Sequence, residues 1–383
     1  MSNKFVLGSL LSSALLGLTG GSALAQNQTT TITTAVPFLT ITPDARAGAM
    51  GDAGSALSPD ANAMFWNAGK LAFNTNDYGA SMCYTPWLKY LNLNDVFLTN
   101  LSGYKKLRKE DAIGISLNYF SLGALQLTDD AGASLGDVNS NEYSISAAYS
   151  RQLSKNFGVG VTGKFLHSNL AGSGNYNGAS LRPANSVAVD LAAYHTGEVS
   201  ISGNPATLSF AGSIANFGPK VSYSDANRRD FIPTTLRLGS ALTTNLDAYN
   251  TFTVSADLSK LMVPSPDSNG KNNEKNFIGG AFSSFGDAEG GGKEELQEVM
   301  IGLGAEYWYD KLFALRAGYF HEAKTKGDRK YFTAGLGIRY QKFGVDFSYL
   351  IPVAQNSPLS ETLRFSLLFD FAKPEQKQES VTE

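Results

Sequence analysis

The sequence predicts an all-β fold, a transmembrane antiparallel β-barrel of about fourteen strands, and three patterns along the chain predict it. Long segments alternate apolar residues with small or polar ones at period two. The connections between these segments are short and long by turns. Aromatic residues gather beside the short connections.

The alternation begins near Tyr78 and recurs in segments of about ten to thirteen residues, longer than the five or six of an ordinary strand. Ile113, Ile115, Leu117 and Tyr119 share one face, and Gly114, Ser116 and Asn118 the other. Tyr143, Ile145, Ala147 and Tyr149 oppose Ser144, Ser146, Ala148 and Ser150, while Val299, Ile301, Leu303, Ala305 and Tyr307 oppose Gly302, Gly304 and Glu306. Leu363, Phe365, Leu367, Phe369 and Phe371 close the series. Segments start near Tyr78, Asp95, Ala112, Tyr143, Phe157, Val187, Ala206, Thr234, Thr251, Val299, Leu312, Lys330, Phe343 and Glu361, an even number of about fourteen that suits a closed bacterial barrel. One face meets lipid and the other a packed or wet lumen. That division explains a mean hydropathy of -0.14 in a chain that is 43% hydrophobic and only 17% charged.

Tight turns fall at 154–156, 245–249, 310–311 and 341–342, and long stretches at 121–141, 168–185, 217–232 and 262–297. Outer-membrane barrels have short periplasmic turns and long outer loops, so a first strand rising from the periplasm puts every long stretch outside. Tyr149, Phe157, Tyr307, Trp308, Tyr309, Phe313, Tyr340, Phe343, Phe369 and Phe371 lie beside the short turns and are expected to form one interfacial girdle.

Residues 1–25 read as a signal peptide, with Lys4, an apolar stretch from Phe5 to Leu18, and the small-x-small site Ala23-Leu24-Ala25. Cleavage before Gln26 would deliver the chain to the outer membrane of a Gram-negative bacterium. The expected organisation continues with an N-terminal segment at 26–76, the barrel at 77–371 and a polar periplasmic tail at 372–383. Residues 35–76 lack alternation. Ser58 is a candidate N-cap, with Pro59 in the first turn of a helix running through about Phe65. Gly48, Gly51 and Gly54 lack the lysine of a phosphate-binding loop and suggest close backbone packing.

The chain carries 31 Lys and Arg against 34 Asp and Glu, with no long basic run, which disfavours nucleic acid. Three histidines and one cysteine make neither a zinc site nor a disulfide framework. His321-Glu322 has Thr325 where a zinc helix needs its second histidine, and His167, His195 and His321 lie in no nucleophile context. No catalytic residue, metal or cofactor is therefore expected, and the protein is read as no enzyme. Cys83 should be a buried thiol on the first strand. Lys105, Lys106, Arg108 and Lys109 read as a solvated periplasmic turn. Partner contacts are expected on outer stretches 168–185, 218–232 and 262–297, which open on Ser168, Gly218 and Met262 and close on Asn185, Ile232 and Gln297. In the last of these, Lys293-Glu294-Glu295-Leu296 is expected as a short helix running into the final strand.

The run PFLTITPDARAGAMGDAG (37–54), followed by SPDANAMFWNAGKLAF (58–73), resembles the N-terminal signature of the PorV family. These are outer-membrane barrels of the Bacteroidetes type IX secretion system, within the wider FadL-like family of fatty-acid-transporter-type barrels. The wider family usually reads Trp-Asn-Pro-Ala-Gly-Leu in the second stretch; here Trp66-Asn67-Ala68-Gly69-Lys70-Leu71 lacks the proline and carries a lysine. The resemblance implies fourteen strands around a lumen plug whose motif comprises Pro43, Asp44, Arg46, Gly48, Gly51, Asp52, Trp66 and Asn67. Asp44, Arg46, Asp52 and Asp60 would then pair with lumen residues such as Arg237, Arg316, Arg339 and Arg364, because buried charges need partners. It implies a carrier and adaptor that binds C-terminal signal domains of secreted cargo emerging from the translocon barrel. That carrier would deliver the cargo to a cell-surface attachment (sortase) complex, with outer-membrane lipid and lipopolysaccharide around its wall. The alternative is a FadL-like transporter of hydrophobic small molecules.

Overall fold

The computed structural model describes residues 30–371 except 129–131, 133, 171, 173, 177–178, 202, 225–228 and 268. The expected signal peptide at 1–25 and polar tail at 372–383 lie outside the described residues. Fourteen antiparallel strands form one closed barrel. They are β1 (Tyr78–Pro86), β2 (Val96–Lys106), β3 (Asp111–Thr128), β4 (Ser134–Gln152), β5 (Phe157–Asn169), β8 (Ala184–Ile201), β9 (Asn204–Phe217), β10 (Thr235–Asn245), β11 (Asn250–Leu261), β12 (Met300–Tyr309), β13 (Phe313–His321), β14 (Lys330–Tyr340), β15 (Phe343–Pro352) and β16 (Leu363–Phe371). A separate ribbon of β6 (Gly174–Tyr176) and β7 (Ala179–Leu181) lies in the β5–β8 connection. The ring closes where β1 pairs with β16, from Tyr78 opposite Phe371 to Tyr84 opposite Phe365. Closure removes the sheet edges that would otherwise expose unpaired backbone to lipid.

Strand count and start positions follow the alternation, because the apolar set of each strand does face outward. Ile115, Leu315 and Phe332 are more than half exposed, whereas the inward-facing Ser150, Asp346 and Ser366 are fully buried. Among the described residues no helix is long and apolar enough to cross a membrane. Cys83 points inward, buried against Ser366 and Asn62.

In the wall and its loops the structure departs from the expectations at three places. The stretch 121–141 is no loop: β3 and β4 remain paired as far as Thr128 opposite Ser134, past register shifts at Ser121/Gly123 and Leu127/Thr128. Alternation lapses there because neither face is sorted against lipid, yet backbone pairing continues. Trp308 leaves the expected girdle, since strand parity turns it to the inner side with Glu306, beneath Arg316 and Arg339. The other girdle residues keep their outward parity; Phe343 meets Phe369 at 5.5 Å and Phe371 stacks on Tyr78 at 5.0 Å between ring centroids. The short helix of the last long loop, Gly292–Gln297, leads into β12 and not into the final strand.

Candidate functional site: the filled lumen and the outer rim

Residues 35–74 lie inside the wall and bond to strands on every side of it. The Ala45 amide donates to Ser366 Oγ on β16 (2.9 Å), Gly51 to Thr333 Oγ1 on β14 (3.0 Å), and Ser55 to Asp257 Oδ2 on β11 (2.8 Å). Asn67 Nδ2 donates to the carbonyls of Ala193 on β8 and Gly212 on β9, and the Ala72 amide to Ser150 Oγ on β4. Ser102 Oγ on β2 donates to the Ala61 carbonyl at 2.8 Å. Strands spread around the whole ring can all reach one segment only if that segment occupies the lumen.

Small residues on the inward faces make the space. A Cβ at Gly318 on β13 would lie 2.1 Å from the Gly51 nitrogen, and one at Gly335 on β14 would lie 2.4 Å from Ala49 Cβ. Gly51 itself has φ +63° and presses on the Leu303 and Tyr319 backbones, so both its conformation and its surroundings require glycine. Gly48 leaves room for the Arg364 side chain. Local structure in the segment comes from side-chain caps. Asp44, next to buried Pro43, accepts from the Ala47 amide and starts Ala45–Gly48; Asn67 accepts from the Gly69 amide and starts the 3-10 turn Ala68–Phe73. The helix expected to begin at Ser58 runs instead over Ala63–Trp66. Ser58 is occupied elsewhere, since its carbonyl and hydroxyl both accept from Arg46.

The charges meet differently from the pattern the sequence suggested. Arg46 reaches Glu306 on β12 through two contacts, Nε to Oε2 at 3.0 Å and Nη2 to Oε1 at 2.9 Å, and also bonds Asp60 at 3.1 Å. Arg316 donates to Glu306 and to Asp346, and Arg339 also pairs with Asp346. Two of the expected lumen partners thus answer carboxylates of the wall itself. Asp44 takes the Trp66 indole N–H at 2.7 Å and, among the described residues, no arginine. Arg237 lies over the rings of Phe65 and Trp66, at 5.1 and 5.5 Å from their centroids. Of the four arginines, only Arg364 faces a segment carboxylate, Asp52 at 3.9 Å, whose other oxygen accepts from Tyr331. Lys70 is buried with its Nζ on the carbonyls of Gly54 and Leu57. Glu306, Asp346 and Asp257 were not singled out from the sequence as lumen partners, and Lys70 stood out there only as a departure from the wider family's pattern. Glu306 and Asp346 did carry a sign, being charged at inward parity beside Gly302, Gly304, Gly344 and Ser348.

Beside the segment lies a chamber of about 80 Å³ where Asp52, Arg237, Asp257 and Arg329 meet Trp66, Leu261, Met300 and Phe320. That is room for a few waters. Above it stand the outer loops. The stretch 168–185 carries the β6–β7 ribbon, and 218–232 touches the inner segment where the Ala35 amide donates to the Phe231 carbonyl. The stretch 262–297 is the most elaborate, with helices Phe277–Ser283 and Gly292–Gln297. It is anchored by Lys260 to Glu295 and Glu298, and by Lys326 to Glu294 (2.6 Å) and Glu298 (2.9 Å). Hydrogen bonds from Lys326 and Thr30 hold the Glu294 carboxyl down at about 2. On the free side of the same loop, Ile278, Phe282, Phe285 and Leu296 are about half to three-quarters exposed.

A closed wall of fourteen strands with an apolar outer face, its own N-terminal segment within and large loops at one rim defines an outer-membrane-type β-barrel. The chain belongs to the family described as Type IX secretion system protein PorV, whose model matches residues 24–268. Similar solved structures include a Pseudomonas aeruginosa FadL homologue (12% identity, 86% of this chain and 99% of that one, TM-score 0.46). They also include the Ralstonia pickettii toluene transporter TbuX (10%, 86% and 98%, 0.47) and the P. putida toluene transporter TodX (13%, 86% and 99%, 0.49). No curated protein matches the chain.

Proposed function

We propose that this chain is an outer-membrane carrier and adaptor of the type IX system. It grips the C-terminal signal domain of secreted cargo with its outer loops as the cargo leaves the translocon barrel, and presents it to the cell-surface attachment complex. The observation that carries this reading is the division between a lumen occupied by the inner segment and an outer rim with exposed apolar side chains. A folded domain has no passage through a lumen crossed by an inner segment that bonds to strands around the whole ring, whereas a rigid barrel offers its loops as a binding surface. The inner segment then acts as a plug, and export to the outer membrane depends on the signal peptide. A transporter of hydrophobic small molecules calls for an open apolar lumen path; here the inner segment occupies the lumen, and the chamber beside it sets Asp52, Arg237, Asp257 and Arg329 among its apolar residues, which favours the carrier.

The test is removal of the gene, followed by complementation with the full chain or with a chain lacking 266–296. The carrier reading expects proteins bearing the C-terminal signal domain to accumulate in the periplasm without the gene. It also expects the loop deletion to restore a folded barrel but not cargo capture. Loss of fatty-acid uptake with normal secretion would support the transporter instead.

A further inference from the structure

We propose that the outer wall of β1–β4 holds one anionic glycerophospholipid of the periplasmic leaflet in a built groove. The floor is a pair of directly opposed small residues, Ala80 on β1 and Gly103 on β2. On either side Ala80 is paired with Phe369 and Gly103 with Ile115. Above the floor Met82 opposes Leu101, and Leu101 opposes Leu117. These side chains enclose a groove of about 580 Å³ on the lipid-facing surface. Small residues oppose each other on the outer face elsewhere too, as at Ala147 and Gly163 or Ala305 and Ala317, but the pair at Ala80 and Gly103 lies two residues from a basic rim. Here the missing side chains leave a slot whose walls gain dispersion contacts only when a chain lies in it.

What selects the occupant is the charge at the slot's lower end. Lys105 has the same outward parity as Gly103, two residues further along β2 and so roughly 7 Å away. It is exposed and makes no ion pair among the described residues. Arg108 and Lys109 follow in the short β2–β3 turn, and the Arg108 side chain is 77% exposed. Short turns mark the periplasmic rim, where glycerophospholipid headgroups lie. An acyl chain in the slot therefore places its phosphate at the height of Lys105, and a lysine at this depth extends its ammonium to the interface. The cluster that reads from sequence as a solvated turn acquires a binding role through the groove above it. The inference rests on the barrel standing in a bilayer and not on the carrier reading, so its failure leaves that reading intact.

The test uses the full barrel, stripped of lipid in neutral detergent and titrated with phosphatidylglycerol or phosphatidylcholine, with bound lipid counted by native mass spectrometry. The wild type should retain one phosphatidylglycerol in preference to phosphatidylcholine. Ala80→Leu with Gly103→Leu should lower retention of both lipids by about tenfold or more. A Cβ at Gly103 meets only the Gly79 carbonyl, at 3.2 Å, and Ala80, at 3.9 Å, so the filled wall has room to fold. Lys105→Gln should abolish the preference while leaving phosphatidylcholine retention unchanged, and it decides the question if the double variant does not fold. Equal retention by wild type and filled barrel would overturn the proposal. So would displacement of the lipid by glycerol phosphate alone, or loss of a co-purifying barrel from the filled variant while its lipid stays bound.

Discussion

Arg46 of the inner segment and Arg316 of β13 share one carboxylate, Glu306 of β12, with Nε of each arginine on Oε2 at 3.0 and 2.7 Å. The segment is thus tied into an ion network of the wall that continues through Asp346 to Arg339. All of these side chains except the partly exposed Arg339 are buried, and buried ion pairs are costly to break because the partner is left without compensation.

Arg46→Glu should therefore loosen the segment more than any single neutral change. It sets three carboxylates, at positions 46, 60 and 306, around one site. Because Arg316 still compensates Glu306, the expected loss is about 3 kcal/mol, at the lower end for a broken buried pair. Thermal unfolding of the purified barrel and small-solute efflux from vesicles would read it, as a lower midpoint and a higher permeability. The double change Arg46→Glu with Glu306→Arg should recover part of both. Unchanged permeability and midpoint in the single variant would remove the segment's role as a plug.

Gly318→Ala tests the backbone contact rather than the charge. The added Cβ would stand 2.1 Å from the Gly51 nitrogen, and that backbone cannot move aside without breaking the Gly51 to Thr333 bond at 3.0 Å. Overpacking of this kind costs about 2 kcal/mol. Gly163→Ala on β5 is the matched control, since nothing lies within 4 Å of its Cβ position. Unfolding midpoints measured side by side should fall for the first and stay within error for the second; equal midpoints would show that the segment yields easily.

The barrel was legible because lipid sorts side chains on every strand, so alternation such as Ile113 to Tyr119 repeats until the strands can be counted. The lumen was less legible. Asp44 finds Trp66, 22 residues away, through turns at Gly51 and Asp52 that no periodicity announces. The expectation that segment carboxylates would meet wall arginines overlooked the wall's own acids, Glu306 and Asp346, which bind Arg316 and Arg339 first. Trp308 shows the same limit from the other side: its place beside a short turn suggested the girdle, while its parity with Glu306 puts it under two guanidinium groups.

The tie between the outer loop and the β13–β14 connection should depend on acidity. Lys326 holds Glu294 down from 4.5 to about 2. A carboxyl lowered in the folded state contributes fully above its unfolded value, and that contribution fades as pH falls through the folded one. Proteolysis or hydrogen exchange of 284–298 should therefore be unchanged between pH 7 and pH 5 and rise only toward pH 2. Lys326→Ala should give the loosened behaviour already at pH 7. A transition near pH 5 would mean that another group controls the loop.

Phe282 and Leu296 stand 64% and 76% exposed on two helices of the same loop, whose opposite side is fixed by Lys260, Lys326 and Glu298. Apolar side chains held outward on an anchored loop lose little conformational freedom on binding, which is what makes an interface position effective. Changing both to Ser should leave the unfolding midpoint of the barrel within about 0.5 kcal/mol, as expected for surface sites. It should weaken capture of a purified C-terminal signal domain by about tenfold or more, since each aromatic or aliphatic anchor at the centre of an interface is worth about 1–2 kcal/mol. Surface display of cargo in cells should fall in parallel. Undiminished capture would move the cargo contact away from 262–297 to the ribbon at 168–185 or the stretch at 218–232, which the same substitution strategy can then address.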